Sequence, residues 1–156
     1  MNRQHNYSIQ IKWTGNSGIG TARPGAYKRS HAISIEGKPD ILGSSDPAFR
    51  GDGGRHNPEE LLVASLSCCH MLWYLHLCSE ADVIVTDYTD KATGTMFETD
   101  NGSGYFENVV LHPTVTVSES SMTEKANQLH DRANELCFIA NSVNFKVEHR
   151  ATCLSK

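Results

Sequence analysis

Three features of this sequence predict an α+β fold in which antiparallel sheet is backed by helices. A long apolar helix pattern follows Asn57, an amphipathic one follows Ser121, and strand patterns lie before, between and after them. The order of strands, long helix, strands, helix and strand differs from the alternation that builds a doubly wound parallel sheet. The 156 residues fit one domain with a single core, and neither a repeat nor a linker-like shift in composition divides them.

Taken in order, Tyr7, Ile9, Ile11 and Trp13 alternate with polar residues, the period-2 signal of a half-buried strand. Asn16 to Gly25 is turn-rich, and Ile33 and Ile35 mark a second short strand. Gly43 to His56 is a long polar loop of the kind compact domains usually reserve for function. A helix then starts cleanly: Asn57 can cap it, Pro58 fits its first position, and Glu60 stands where a capping-box carboxylate belongs. It runs to about Glu80. The stretch Leu61 to Cys78 is apolar but carries Ser65, Ser67, His70 and His76. A membrane span needs about 20 predominantly apolar residues, so this segment reads as a central helix buried on all sides. Val83 to Met96 and Tyr105 to Val117 are two longer strands, joined by the hairpin signal Asp100-Asn-Gly-Ser-Gly104. Ser121-Met-Thr-Glu124 has the form of a second capping box. Beyond it Met122, Ala126, Leu129, Ala133, Leu136 and Ala140 fall on one helical face. Val143, Phe145 and Val147 form the last strand.

Composition excludes several function classes. Net charge is −4 with no basic run, so the electrostatic footprint of a nucleic-acid binder is missing. The polar start, Met-Asn-Arg-Gln-His-Asn, has no apolar signal core, which makes the cytoplasm the expected location. Five cysteines match no disulfide framework, and in a reducing compartment a disulfide would be transient and catalytic. His70, His76, Cys68 and Cys69 lack C-x-x-C or H-E-x-x-H spacing; Cys69 and His76 share a face but supply only two ligands. The stretch Gly15 to Gly20 lacks the Gly-Lys-Ser/Thr ending of a phosphate loop. Neither a metal nor a resident cofactor is expected.

The chemistry that remains is that of thiols. Cys69 lies in the apolar helix, where a cysteine is ordinarily an inert small hydrophobe. It becomes nucleophilic only if a nearby cation holds it as thiolate. Its neighbour Cys68 points about 100° away around the helix, and Cys78 and Cys153 lie near element ends as spare thiols. Cys137 closes the amphipathic helix beside its core face. Two thiols pressed together could serve peroxide reduction, in which a sulfenic acid on the first is resolved by the second. Glu59 stabilises the helix macrodipole whether or not it is catalytic. It stands ten positions before Cys69, about 15 Å along the axis, so a catalytic Glu59 would serve the site of a second subunit. Loop cations are available at Arg50, and earlier at Arg23 and Arg29. A cysteine hydrolase pairing Cys69 with His70 or His76 is a weaker alternative, because adjacent helix positions diverge and His76 is about 10 Å along the axis.

The run Asn57-Pro-Glu-Glu-Leu-Leu, with a cysteine ten residues after Glu59, closely resembles the OsmC/Ohr family of osmotically induced and organic-hydroperoxide-resistance proteins. Leu136-Cys-Phe-Ile-Ala-Asn141 followed by a strand resembles that family's second cysteine region, and the element order matches over nearly the whole chain. Ser44 to Asp52 and Ser65 to Leu77 look like an OsmC-like subgroup distinct from Ohr proper. The resemblance implies an intertwined homodimer acting as a thiol-dependent peroxidase on organic hydroperoxides. Cys69 matches the peroxidatic thiol, Cys137 the resolving thiol that joins it in a disulfide, and Glu59 the carboxylate that orients an arginine. An OsmC-type loop selects Arg50 for that arginine; an Ohr-type pattern would select Arg23. An external dithiol, often of lipoyl type in the family, would reopen the disulfide, and no nucleic acid or membrane is implied. His70 departs from the small or apolar residue often found after the thiol. The other reading the resemblance allows is a redox-sensing or binding module without turnover.

Overall fold

The computed structural model describes residues 3–156, which fall into two compact units, Met1–Leu61 and Leu62–Lys156, with the boundary inside the first helix. In the first unit, β1 (Gln10–Trp13), β2 (His31–Ser34) and β3 (Ile41–Gly43) make an antiparallel meander in the order β1-β2-β3. Gln10 lies opposite Ser34, and His31 opposite Gly43. Strand β1 is shorter than the apolar alternation predicts, and it is not half-buried: Ile11 is 56% and Trp13 42% exposed. Tyr7 and Ile9 precede it outside any strand and are exposed as well. Strand β3 was not expected from the sequence, because three residues carry too little periodicity to register. The helix α1 (Pro58–Glu80) is capped as its sequence predicts. The Glu60 N–H donates to Asn57 Oδ1 at 2.7 Å, and the Asn57 N–H donates to the Glu60 carboxylate at 3.1 Å. Such a cap typically contributes about 1 kcal/mol.

The second unit carries β4 (Val85–Asp90), β5 (Thr93–Glu98), β6 (Gly104–Leu111), β7 (Pro113–Val117), α2 (Thr123–Leu136), β8 (Lys146–His149) and β9 (Thr152–Ser155). Both long strands expected from the sequence are broken in the middle, at Lys91-Ala92 and at His112. Strands β5 and β6 form the predicted hairpin, with Glu98 opposite Gly104. Beyond the break β4 and β7 pair in their turn, so one ribbon feeds two sheets. Asp90 holds the break. One of its carboxylate oxygens accepts the His112 N–H at 2.7 Å, and the other accepts the Ser67 hydroxyl from α1. The last strand also splits: β8 runs parallel to β6, and β9 parallel to β7. The sheets, ordered β5-β6-β8 and β4-β7-β9, are therefore mixed where antiparallel sheet was expected. The crossover through α2 brings the chain back in the direction in which it left.

The helix α1 buries one stripe, Leu66, His70, Tyr74 and Cys78, at a spacing of four. It is not buried on all sides, since Leu72 is 63% exposed. By length and mean hydropathy, 1.6, it could cross a membrane. Its stripe instead packs into the core: Tyr74 and Cys78 meet Val83, Val115, Val117, Ala126 and Ala133, while Leu66 meets Val109 and Leu111. Ser121 does not cap α2. A 3-10 turn over Ser120–Met122 moves the helix start to Thr123, and the Ser121 hydroxyl turns back to the Glu119 carboxylate. The buried face of α2 is Ala126, His130 and Ala133.

Candidate functional site, a thiol pair beside an apolar cleft

The second unit brings Cys69 and Cys137 together. Cys69 is half-buried in the middle of α1, and Cys137 is the buried residue that ends α2, where an extended backbone (φ −65°, ψ 109°) stops the helix. The two thiols are close enough for Cys69 to raise the Cys137 thiol. Burial, and next the neighbouring Cys69 thiol, push the Cys137 thiol up to about 11, against the backbone N–H groups of Ala140 and Ile139 that pull it down. The Ala140 N–H reaches the Cys137 sulfur at 3.4 Å. Cys137 therefore keeps its proton at neutral pH.

Both Cys68 and Cys69 open onto a cleft of about 570 Å³ whose other walls are Ser65, Leu72, Trp73, His76, Phe138 and Ile139. The Trp73 and Phe138 rings meet edge to face with centroids 5.4 Å apart. The lining is mainly apolar and aromatic, which suits the organic part of a ligand more than a small polar one. Of the remaining cysteines, Cys78 is buried and Cys153 half-buried, and burial raises both thiols.

Glu59 and Arg50 lie in the first unit. Arg50 is exposed, with φ 64°, and the residue after it must be glycine, since a Cβ at Gly51 would collide with the Ser45 carbonyl. No ion pair joins Arg50 to Glu59 among the described residues. The Glu59 Oε2 atom is buried without a hydrogen-bond partner in the chain. Arg23 is exposed. Arg29 is the fixed one of the three arginines: its guanidinium lies 4.4 Å over the Tyr27 ring and donates to the Tyr27 carbonyl at 2.9 Å.

Sequence reasoning missed a histidine cluster in the second unit. His70 of α1 and His130 of α2 are fully buried, with His70 Nε2 3.0 Å from His130 Nδ1. Their planes differ by 2° and their centroids lie 5.3 Å apart, so the rings are coplanar and joined end to end by an N–H···N bond. Tyr74 stacks on the face of His130 with centroids 3.9 Å apart. His149 of β8 lies beside both imidazoles and pairs through Nε2 with Asp131 at 3.1 Å. Burial, then His149, lower His70 to about 4 against the pull of Asp90; burial, then His70, lower His130 to about 3. The legible signal was His130 itself, a polar residue between Ala126 and Ala133 on an apolar face. His70 commits Nε2 to His130. One ring nitrogen of each histidine points at the other, and no group of three or more His, Cys, Asp or Glu among the described residues is placed to hold a metal.

The sequence profile of the OsmC-like protein family matches residues 51–151. Among solved structures, an OsmC-like protein of unknown function from Vibrio cholerae O1 biovar eltor is similar over 96% of this chain and 100% of its own, with 30% identity and a TM-score of 0.85. An organic hydroperoxide resistance protein from Elizabethkingia anophelis covers 99% and 100%, with 20% identity and a TM-score of 0.68. One from Legionella pneumophila, described also as a predicted redox protein, covers 97% and 99%, with 18% identity and a TM-score of 0.68. No curated protein matches the sequence.

Proposed function

This chain belongs to the OsmC-like family, and from that premise we propose that it is a thiol-dependent peroxidase that reduces organic hydroperoxides to alcohols. The observation that carries this reading is the closeness of the Cys69 and Cys137 thiols, with Cys69 at the wall of an apolar cleft. In the first step the Cys69 thiolate attacks the terminal peroxide oxygen. The O–O bond breaks, the alkoxide takes a proton and leaves as the alcohol, and Cys69 becomes a sulfenic acid. In the second the Cys137 sulfur attacks the Cys69 sulfur, releasing water and closing the disulfide. An external dithiol then reduces the pair to two thiols. The cleft seats the organic group, with Trp73 and Phe138 at its wall, and favours an alkyl or aryl hydroperoxide over hydrogen peroxide. An arginine oriented by Glu59 would stabilise the thiolate and the charge developing on the peroxide. The sequence pattern assigns that task to Arg50, and the working form would be a cytoplasmic homodimer.

The test is peroxide consumption by the purified protein, comparing tert-butyl hydroperoxide with hydrogen peroxide, with dihydrolipoamide as reductant. Faster turnover of the alkyl peroxide is expected. Stoichiometric oxidation without turnover would leave a redox sensor, and turnover favouring hydrogen peroxide would overturn the role given to the cleft.

A further inference from the structure

The buried histidine pair connects the two helices that carry the thiols. On α1, His70 follows Cys69 directly; on α2, His130 lies seven positions, about two turns, before Cys137. The faces the helices present to each other are unequal. Around His130 the other fully buried residues of α2 are Ala126 and Ala133, with Leu129 partly buried beside them, while α1 buries Tyr74, Cys78 and His70. His130 is the large buried side chain that α2 sends across, and it is met end-on by His70 and face-on by Tyr74. The outer nitrogens, His70 Nδ1 and His130 Nε2, have no hydrogen-bond partner. The position of the pair therefore depends on its own bond and on the Tyr74 stack.

We propose that His70 and His130 are positioning residues: their hydrogen bond is a strut that sets the spacing of α1 and α2, and with it the reach of Cys137 to Cys69. This rests on the two-thiol reading above. A bond that fixes separation along its own axis transmits any change to the end of α2, where Cys137 sits. The first oxidation step does not use Cys137, so it is insensitive to the strut; disulfide closure needs both helices in register. A misplacement of about 1 Å can cost on the order of 100-fold in a positioned reaction. The charged and titratable groups around the strut are Tyr74 from α1, Asp90 from β4, and His149 from β8 with its partner Asp131 from α2. None of them hydrogen-bonds to either imidazole.

The bond uses Nδ1 of His130, which an asparagine amide can overlay and a glutamine amide, one methylene longer, cannot. Closure is read in two ways: as the Cys69–Cys137 equilibrium in buffers of reduced and oxidised glutathione, and as the rate at which the peroxide-formed sulfenic acid disappears. His130→Gln and His130→Phe should lower the glutathione equilibrium constant and the closure rate by about tenfold or more, with sulfenic acid formation unchanged. His130→Asn should restore most of both. If His130→Phe does not fold, the comparison of Asn with Gln stands by itself. Equal behaviour of Asn and Gln, whether both normal or both impaired, would overturn the strut. A disulfide that forms with glutathione but not with peroxide would overturn the peroxidase reading and leave the strut readable. No Cys69–Cys137 disulfide under either oxidant would overturn both.

Discussion

At neutral pH burial, and next the neighbouring Cys69 thiol, hold the proton on Cys137. A protonated thiol is the weaker nucleophile, which suits Cys137 to the second step of the proposed cycle and leaves the first to Cys69. Cys69→Ser should therefore abolish peroxide consumption. Cys137→Ser should consume one equivalent and stop as a sulfenic acid that a dimedone-type probe captures in the mass spectrum; normal turnover of that variant with a dithiol would remove Cys137 from the cycle. The histidines make a separate prediction about stability. Burial holds His70 at about 4 and His130 at about 3, below the 6.5 of an unfolded chain. A base lowered on folding leaves stability intact above 6.5. Below it the unfolded chain takes up protons that the folded one refuses, so stability falls until the pH reaches the folded values. The slope is about 1 kcal/mol per pH unit for each histidine. Urea midpoints measured from pH 7 to 4 should drop more steeply for the native sequence than for His130→Asn, a difference in which the shared carboxylate contributions cancel. Parallel curves would show that the buried imidazoles carry no such cost.

Elements whose logic is local were legible in the sequence, and those that depend on distant partners were not. Asn57 and Glu60 cap α1 because both groups lie within one turn. The same pattern at Ser121 failed once the chain entered a 3-10 turn instead. The breaks at Lys91-Ala92 and His112 leave no mark on hydrophobic alternation, because what fixes them is a bond from Asp90 to a residue 22 positions away. The resemblance paired Cys69 with Cys137, and the fold brings the two thiols near each other across two helices, a closeness no local pattern records. Patterning by apolar residues passed over His130, since only its meeting with His70, 60 positions away, explains a polar side chain on that face. Asp90 gives the element-scale prediction. Asp90→Ala strands the His112 amide and the Ser67 hydroxyl together where the ribbon passes from one sheet to the other. Leaving partly buried polar groups unpaired costs about 1–3 kcal/mol each. Chemical denaturation should show a loss in that range, with Asp90→Asn recovering part of it; an unchanged midpoint would mean that the backbone holds the break unaided.

For the whole molecule, the proposed homodimer accounts for two features that the single chain leaves open. Ile11, Trp13 and Leu42 expose 56%, 42% and 53% of their surface on the first unit's strands, and the buried Glu59 oxygen lacks a partner. Glu59 and Cys69 are ten positions apart on one helix, about 15 Å, so a carboxylate that serves the thiol would come from the other subunit. Subunit mixing separates this arrangement from one confined to a single chain. The Cys69→Ser homodimer should be inactive and the Glu59→Ala homodimer only weakly active. In a heterodimer assembled across the interface, one site loses both groups and the other keeps both. Random pairing of equal amounts should then restore up to about a quarter of native activity, measured with native mass spectrometry to count heterodimers. If heterodimers form and activity does not rise above the sum of the two parents, Glu59 acts within its own chain or takes no part. Arg50→Ala examined in the same assay should slow the first oxidation step by about 100- to 1,000-fold if Arg50 is the charge-stabilising donor. If instead Arg29→Ala produces that loss while Arg50→Ala does not, the role passes to the arginine already fixed against Tyr27.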